Sequence, residues 1–194
     1  MRFPLALSWQ TQRLQEKPVE PLTGVIAILA TPFTEGGDVD WEGFLNLVEA
    51  AMGDGVHGLA MFGLASEYYK LTEAERTKLT EWMIQQVNGR VPVIISITDH
   101  AREVAVQHGR EAVALGADTL MVMPPFFLSP SADAFRRHVE AIASPVAVPI
   151  ILQYAPLQAG RTVEAEVFAG LHRSHPNVTH IKVDLVPSGS VVTA

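Results

Sequence analysis

A lysine near the end of the sequence stands in an apolar segment whose side chains alternate. His180, Lys182 and Asp184 share one face of the predicted strand, and Ile181 and Val183 share the other. A lysine amine on an enclosed strand face is partly withdrawn from water, which favours its neutral, nucleophilic form. Because a neutral amine attacks a ketone to form an imine, Lys182 is a candidate Schiff-base residue. The alternative is an ammonium group that reaches water or pairs with Asp184.

The segment that carries this lysine is the last of a series of apolar strands and amphipathic helices. After residue 22 the alternation repeats roughly every 30 residues, the length of a strand–helix unit. Strands are predicted at residues 24–31, 58–62, 92–98, 119–123, 149–154 and 180–184. Helices are predicted at residues 40–53, 72–88, 101–115, 130–143 and 163–174. Short hydrophobic strands alternating with helices indicate an α/β fold with a parallel sheet covered by helices.

Two architectures fit this alternation, a doubly wound sheet and a (β/α)8 TIM barrel. The doubly wound fold normally carries a glycine-rich phosphate turn, and the sequence has no G-x-G-x-x-G or P-loop motif. The polar face of the strand at 180–184 favours the barrel. About six of the eight βα units of a barrel are visible, so we predict a truncated barrel at residues 23–194 after an N-terminal extension at 1–22. Strand exchange with another chain is the alternative to truncation.

Composition excludes several classes of function. The net charge is −7 and the basic residues are scattered, which argues against a nucleic-acid surface. The absence of cysteine excludes disulfides, cysteine-ligated zinc and thiol catalysis, and it is compatible with a cytoplasmic location. No apolar run approaches the roughly 20 residues that a membrane helix needs. His100 and His108 show no carboxylate that completes a metal site, so we interpret them as helix-surface residues.

Six segments, in order, resemble those of one enzyme family. They are GVIAILATPF at 24–33, FGLASE at 62–67, LTEAER at 71–76, VMPPFFLS at 122–129, IILQYAPLQAG at 150–160 and IKV at 181–183. The family is that of dihydrodipicolinate synthase and N-acetylneuraminate lyase. Any one segment is a weak signal, whereas six in the family's order and spacing are a strong one.

The resemblance implies a (β/α)8 barrel, usually a homotetramer, with its active site at the carboxyl ends of the strands. It implies a class I aldolase or lyase in which a lysine forms an imine with pyruvate or a related 2-oxo acid. The imine is the electron sink, so no cofactor or metal is implied. The expected partner is therefore a small-molecule substrate.

The resemblance also assigns roles to residues of this sequence. Lys182 corresponds to the imine-forming lysine. Tyr154 is assigned to the family tyrosine that relays protons, with an aromatic lid over the core as the alternative. Leu64 and Ala65 align with a pair that binds the substrate carboxylate, in part through backbone N–H groups; the alternative is a plain turn. Glu67 fits a bracing carboxylate at least as well as a catalytic one.

Three departures from the family pattern limit what the resemblance implies. Leu64 and Phe127 stand where the family often has a threonine and a tyrosine, so two relay hydroxyls are absent. If one gap is allowed, Gln158 stands where the lysine-pathway synthase has an arginine that clamps a carboxylate. We therefore expect a divergent lyase, aldolase or dehydratase and not the lysine-pathway synthase itself. The alternative is an inactive barrel with a structural or assembly role.

Overall fold

A computed structural model describes residues 22–126, 130–160, 162–185 and 187 of the chain. The predicted N-terminal extension lies outside the described residues except for Leu22, and Phe127 and Arg161 lie outside them as well. Within the described part of the chain, no helix has the length and apolar character needed to cross a membrane.

The described strands form one parallel sheet in which each strand pairs with its neighbours in sequence. They are β1 (Ile26–Ile28), β2 (Gly58–Met61), β3 (Val93–Ser96), β4 (Thr119–Val122), β5 (Ile150–Tyr154) and β6 (Val178–Val183). Their spatial order is β1 to β6, with every pairing parallel. A doubly wound sheet would reverse its strand order at a switch point. The sequential order therefore confirms the partial TIM barrel.

Helices connect successive strands, as the alternation predicts. They are α1 (Trp41–Gly53), α2 (Glu73–Val87), α3 (Arg102–Leu115), α4 (Ala132–Ala143), the short α5 (Pro156–Ala159) and α6 (Ala165–Ser174). Helices α2 and α3 each end at a residue in the left-handed conformation, Asn88 and Gly116 respectively. The chain then enters the next strand within a few residues.

The two faces of the sheet bury different side chains. Leu59, Met61, Leu120 and Leu152 belong to the large core between sheet and helices. The opposite, inner face carries a smaller cluster of Ala60, Ile94 and Met121, with Ile26, Ile28 and Ile151 packed against it. Because side chains alternate along a strand, the residues that share register with this cluster also face the inside of the barrel.

His108 departs from the prediction of a helix-surface residue. Only 8% of it is exposed, and its Nε2 lies 2.7 Å from a carboxylate oxygen of Glu73 on α2. Ala105 and Ala112, on the same face of α3, are also buried. The surface interpretation was therefore wrong, because α3 turns this face toward α2.

The start of α2 provides a test of local stability. Thr72 Oγ1 accepts a hydrogen bond from the backbone of Glu75, and the Glu75 carboxylate accepts one from the backbone of Thr72. These bonds form a capping box, and they hold the pKa of Glu75 below its ordinary value. Thr72→Ala is expected to lower the free energy of unfolding by about 1 kcal/mol in urea titrations. Thr77→Ala, at an exposed position inside the same helix, is the matched control and should cause no loss.

Candidate active site

Lys182 lies on the inner face of β6, opposite Gln153 of β5. Its side chain is 31% exposed, so the amine is sheltered but reachable by a small molecule. Its Nζ lies 2.5 Å from Oδ2 of Asp184. The sequence is compatible with an imine-forming lysine and with an ion-paired one, and the structure shows the ion pair. The pair sits at the carboxyl end of the sheet, where TIM-barrel active sites lie.

Asp184 is fixed on this face by the continuation of the β5–β6 ladder. Its backbone N–H donates to the carbonyl of Tyr154, one step beyond the end of β6. The side chain of Gln153 donates through Nε2 to Asp184 Oδ2 at 2.7 Å, so this oxygen accepts from both Gln153 and Lys182. Gln153 is 4% exposed, whereas the Asp184 side chain is 32% exposed. A buried amide thus orients a carboxylate against the amine.

Tyr154 lies on the other face of the sheet. It is paired in register with Val183, and its ring packs edge-on against Phe168 of α6 at 5.5 Å between centroids. The expectation that Tyr154 lies beside the lysine is therefore wrong, and its placement fits the aromatic lid over the core. The segment at 150–160 resembles a Tyr-Asn-x-Pro stretch of the family, and matching its proline to Pro156 puts Gln153 at the position of the tyrosine. That alignment was the signal that the sequence analysis missed.

The loop after β2 is braced by Ser66. This serine is fully buried, and its hydroxyl donates to the carbonyl of Leu29 at 2.5 Å. In return Thr31 Oγ1 donates to the carbonyl of Ser66 at 2.7 Å. Leu64 and Ala65 belong to the single helical turn Leu64–Ser66, so the loop bearing them is held to the end of β1. Sequence reasoning missed Ser66, because its partners are more than 30 residues away.

The carboxylate of Glu67 does not stabilise this loop through a buried contact. Its carboxylate is 40% exposed and lies 2.6 Å from Lys70 Nζ. Its backbone has φ of 51°, the left-handed conformation, which turns the chain from one helical turn into the next. Glu67 thus shapes the loop through its backbone, and its side chain makes a surface ion pair.

Arg76 of α2 packs next to the loop that follows β2. Its guanidinium lies 4.4 Å from the centroid of the Phe62 ring and donates to the carbonyl of Ser96. It is 7% exposed, and burial lowers the pKa of Arg76 from its ordinary value. The contacts of Arg76 with Phe62 and Ser96 join the carboxyl ends of β2 and β3.

Polar groups also follow β3 on the inner face. Ser96 Oγ lies 3.1 Å from Thr98 Oγ1, and Thr98 Oγ1 accepts from the backbone of Met123. The inner face is therefore apolar at the level of Ala60 and Met121 and polar toward the carboxyl ends. Gln158 is exposed on α5. Among the described residues no group of three or more histidine, aspartate or glutamate side chains converges on a possible metal site.

Comparison with known proteins places this geometry in one family. The family model described as the dihydrodipicolinate synthetase family matches residues 21–186. A relative from Sorangium cellulosum strain So ce56, named 4-hydroxy-tetrahydrodipicolinate synthase, is 37% identical over 166 residues, covering 84% of this chain and 54% of the relative. The chain thus spans about half the length of this relative.

Solved structures give the same result. A dihydrodipicolinate synthase from Acinetobacter baumannii, solved with pyruvate, has a TM-score of 0.81 and 28% identity over 87% of this chain and 57% of its own. A prophage protein from E. coli K12, also solved with pyruvate, has a TM-score of 0.80 and 28% identity over 84% of this chain and 55% of its own. The sequential parallel sheet, the inward lysine on β6 and these matches together show that the chain belongs to the dihydrodipicolinate synthetase family.

Proposed function

We propose that this chain carries the imine-forming site of a class I aldolase or lyase that acts on pyruvate or a related 2-oxo acid. The observation that carries the proposal is Lys182, which places a partly sheltered amine on the inner face at the carboxyl end of β6. The pyruvate bound by the two structural relatives supports the substrate class. The amine attacks the ketone carbon, and the imine withdraws electrons from the neighbouring carbon.

The loop at Leu64 and Ala65 is proposed to bind the substrate carboxylate through backbone N–H groups. Neither side chain carries a hydroxyl, but the backbone donors are independent of the side chain. The bonds between Ser66 and the end of β1 fix the loop before substrate arrives, which reduces the cost of ordering it on binding.

The exclusion of the lysine-pathway synthase finds no support in the comparisons. The Sorangium relative carries the name of that enzyme. Gln158 replaces the expected arginine, but this position alone does not decide the second substrate. We therefore extend the proposal to the synthase reaction itself, beside aldol cleavage and dehydration. A homo-oligomer in the cytoplasm is part of the proposal, as the family resemblance implies.

Borohydride trapping tests this function. The folded chain is incubated with pyruvate, reduced with borohydride and digested, and the peptides are analysed by mass spectrometry. We expect a reduced pyruvate adduct on the peptide that contains Lys182, and none when pyruvate is omitted. A folded sample without adduct, beside a full-length relative that is labelled in parallel, would reject the proposal. The chain would then be assigned a structural or assembly role.

A further inference from the structure

The Lys182 amine needs a partner that moves protons. The amine must lose a proton before it attacks a ketone, and the imine must lose a proton from the adjacent carbon before that carbon reacts. Gln153 faces the lysine, but a carboxamide neither gives up nor takes a proton near neutral pH. The side chain opposite Lys182 is therefore able to orient other groups, not to act as an acid or base.

The described tyrosines do not fill this role. Tyr154 packs against Phe168 on the helix side of the sheet. Tyr68 and Tyr69 lie in the helical turn Tyr68–Lys70, where Tyr68 packs near Arg76 and Tyr69 is 67% exposed. None of these three tyrosines therefore places a phenol at the imine.

We propose that Asp184, oriented by Gln153, is the proton acceptor and donor for imine chemistry at Lys182. Two distances carry this inference, 2.5 Å from Asp184 Oδ2 to Lys182 Nζ and 2.7 Å from the same oxygen to Gln153 Nε2. The backbone bond from Asp184 to Tyr154 holds the carboxylate at the end of the ladder. The inference rests on the proposed function and adds a residue to it.

The proton transfers balance without any further reactant. Asp184 takes a proton from the Lys182 ammonium, and the amine lone pair forms the bond to the ketone carbon. The ketone π electrons move to the oxygen, which takes this proton from Asp184 and becomes a hydroxyl. Asp184 then removes a second proton from the nitrogen and gives it to the hydroxyl, which leaves as water while the nitrogen lone pair forms the iminium double bond. The ammonium and the ketone are thereby converted to iminium and water.

The same carboxylate then acts on the methyl carbon of the bound pyruvate. It removes a proton from that carbon, the C–H electron pair forms the carbon–carbon double bond, and the iminium π electrons move to the nitrogen. The methyl carbon is two bonds from Nζ, so a carboxylate that contacts Nζ is within reach of it. Return of a proton from Asp184 reverses the step.

Exchange of pyruvate methyl hydrogens in D2O tests the second transfer, and borohydride trapping tests imine formation separately. For Asp184→Asn we expect an adduct on Lys182 after long incubation but at least about 100-fold slower exchange, the usual contribution of a general base. Asparagine keeps an oxygen that accepts from Lys182 and Gln153 but removes the base. Glu166→Gln, which breaks an exposed ion pair with Arg173 on α6, is the matched control and should exchange like the unchanged chain.

Two further variants separate catalysis from folding. Asp184→Glu keeps a carboxylate and should restore part of the exchange that Asp184→Asn loses. Gln153→Met removes the orienting donor, and it should slow exchange while the pyruvate concentration for half-maximal trapping stays unchanged. If Gln153 had only a structural role, its replacement would not change the exchange rate while leaving the pyruvate concentration for half-maximal trapping unchanged.

The outcomes distinguish the two proposals. No adduct in the unchanged, folded chain rejects the proposed function, and the role of Asp184 with it. An adduct without exchange in the unchanged chain rejects Asp184 alone. Exchange by Asp184→Asn at the unchanged rate also overturns the inference and reduces the carboxylate to an ion-pair partner of the lysine.

Discussion

The Lys182→Met variant is expected to form no borohydride-reduced adduct with pyruvate on any peptide of the chain. Methionine keeps the unbranched apolar stem but has no nucleophilic nitrogen, so imine formation is lost completely. The cost in stability should be small, because the Asp184 carboxylate retains Gln153 as a donor and is 32% exposed. Circular dichroism and urea unfolding check that the variant is folded before labelling.

Lys78→Met is the matched control for this loss. Lys78 lies on α2 with its ammonium 3.7 Å from the centroid of the Trp41 ring, on the helix side of the sheet. Its removal should leave labelling of Lys182 unchanged. An adduct that persists in folded Lys182→Met, on this or any other lysine, would move the chemistry away from β6 and contradict the assignment.

The fold was largely predictable because its signals are local. The capping box at Thr72, the glycine after α3 and the short apolar strands each depend on a few neighbouring residues. The strand ends were less accurate: the first strand was predicted at 24–31, and β1 covers Ile26–Ile28. The hydrogen-bonded part of a strand ends where its partner strand ends, so neither segment alone predicts that limit.

The site was only partly predictable, because it depends on register between distant strands. Neighbouring residues of a strand point to opposite faces of the sheet, so an error of one residue assigns a side chain to the wrong face. Gln153 and Tyr154 are neighbours of this kind. The alternation along β6 correctly placed Lys182 and Asp184 on one face, but it could not show that Gln153 stands opposite. The contact of Ser66 with Leu29 likewise joins residues that only the pairing of β1 with β2 brings together.

Long-range contacts also underlie the role proposed for Asp184. The residue opposite Lys182 on the inner face is Gln153, whose carboxamide does not carry protons. Asp184 places a carboxylate oxygen next to the same amine, and Gln153 orients it. Gln153 and Asp184 are joined by a hydrogen bond, although 31 residues separate them in sequence.

Acid is expected to destabilise the chain through His138 on α4. This side chain is 4% exposed, and burial, reinforced by the charge of Arg102, lowers its pKa to about 4 from 6.5. Its Nε2 has no hydrogen-bond partner in the described structure. The other charged or titratable groups that act on it are Asp99, Glu103 and His100. The folded chain therefore holds a neutral imidazole where the unfolded chain binds a proton.

The sign of the effect follows from this difference in proton binding. The contribution of His138 is fully present above pH 6.5 and is lost as the pH falls toward about 4, because only the unfolded state gains the proton over that range. The shift corresponds to about 3 kcal/mol in the free energy of unfolding. His138→Gln should remove this part of the pH dependence, as measured by urea unfolding between pH 4 and pH 7.5.

Thr77→Ala, at an exposed position of α2 that carries no titratable group, is the control and should leave the acid dependence unchanged. The comparison isolates one side chain from the carboxylates, whose contributions are common to all three proteins. If His138→Gln loses stability between pH 6.5 and about 4 as steeply as the unchanged chain, the buried imidazole is not the acid-sensitive group. Glu75 would not account for such a loss, because its lowered pKa makes the contribution of its bonds to Thr72 disappear only at still lower pH.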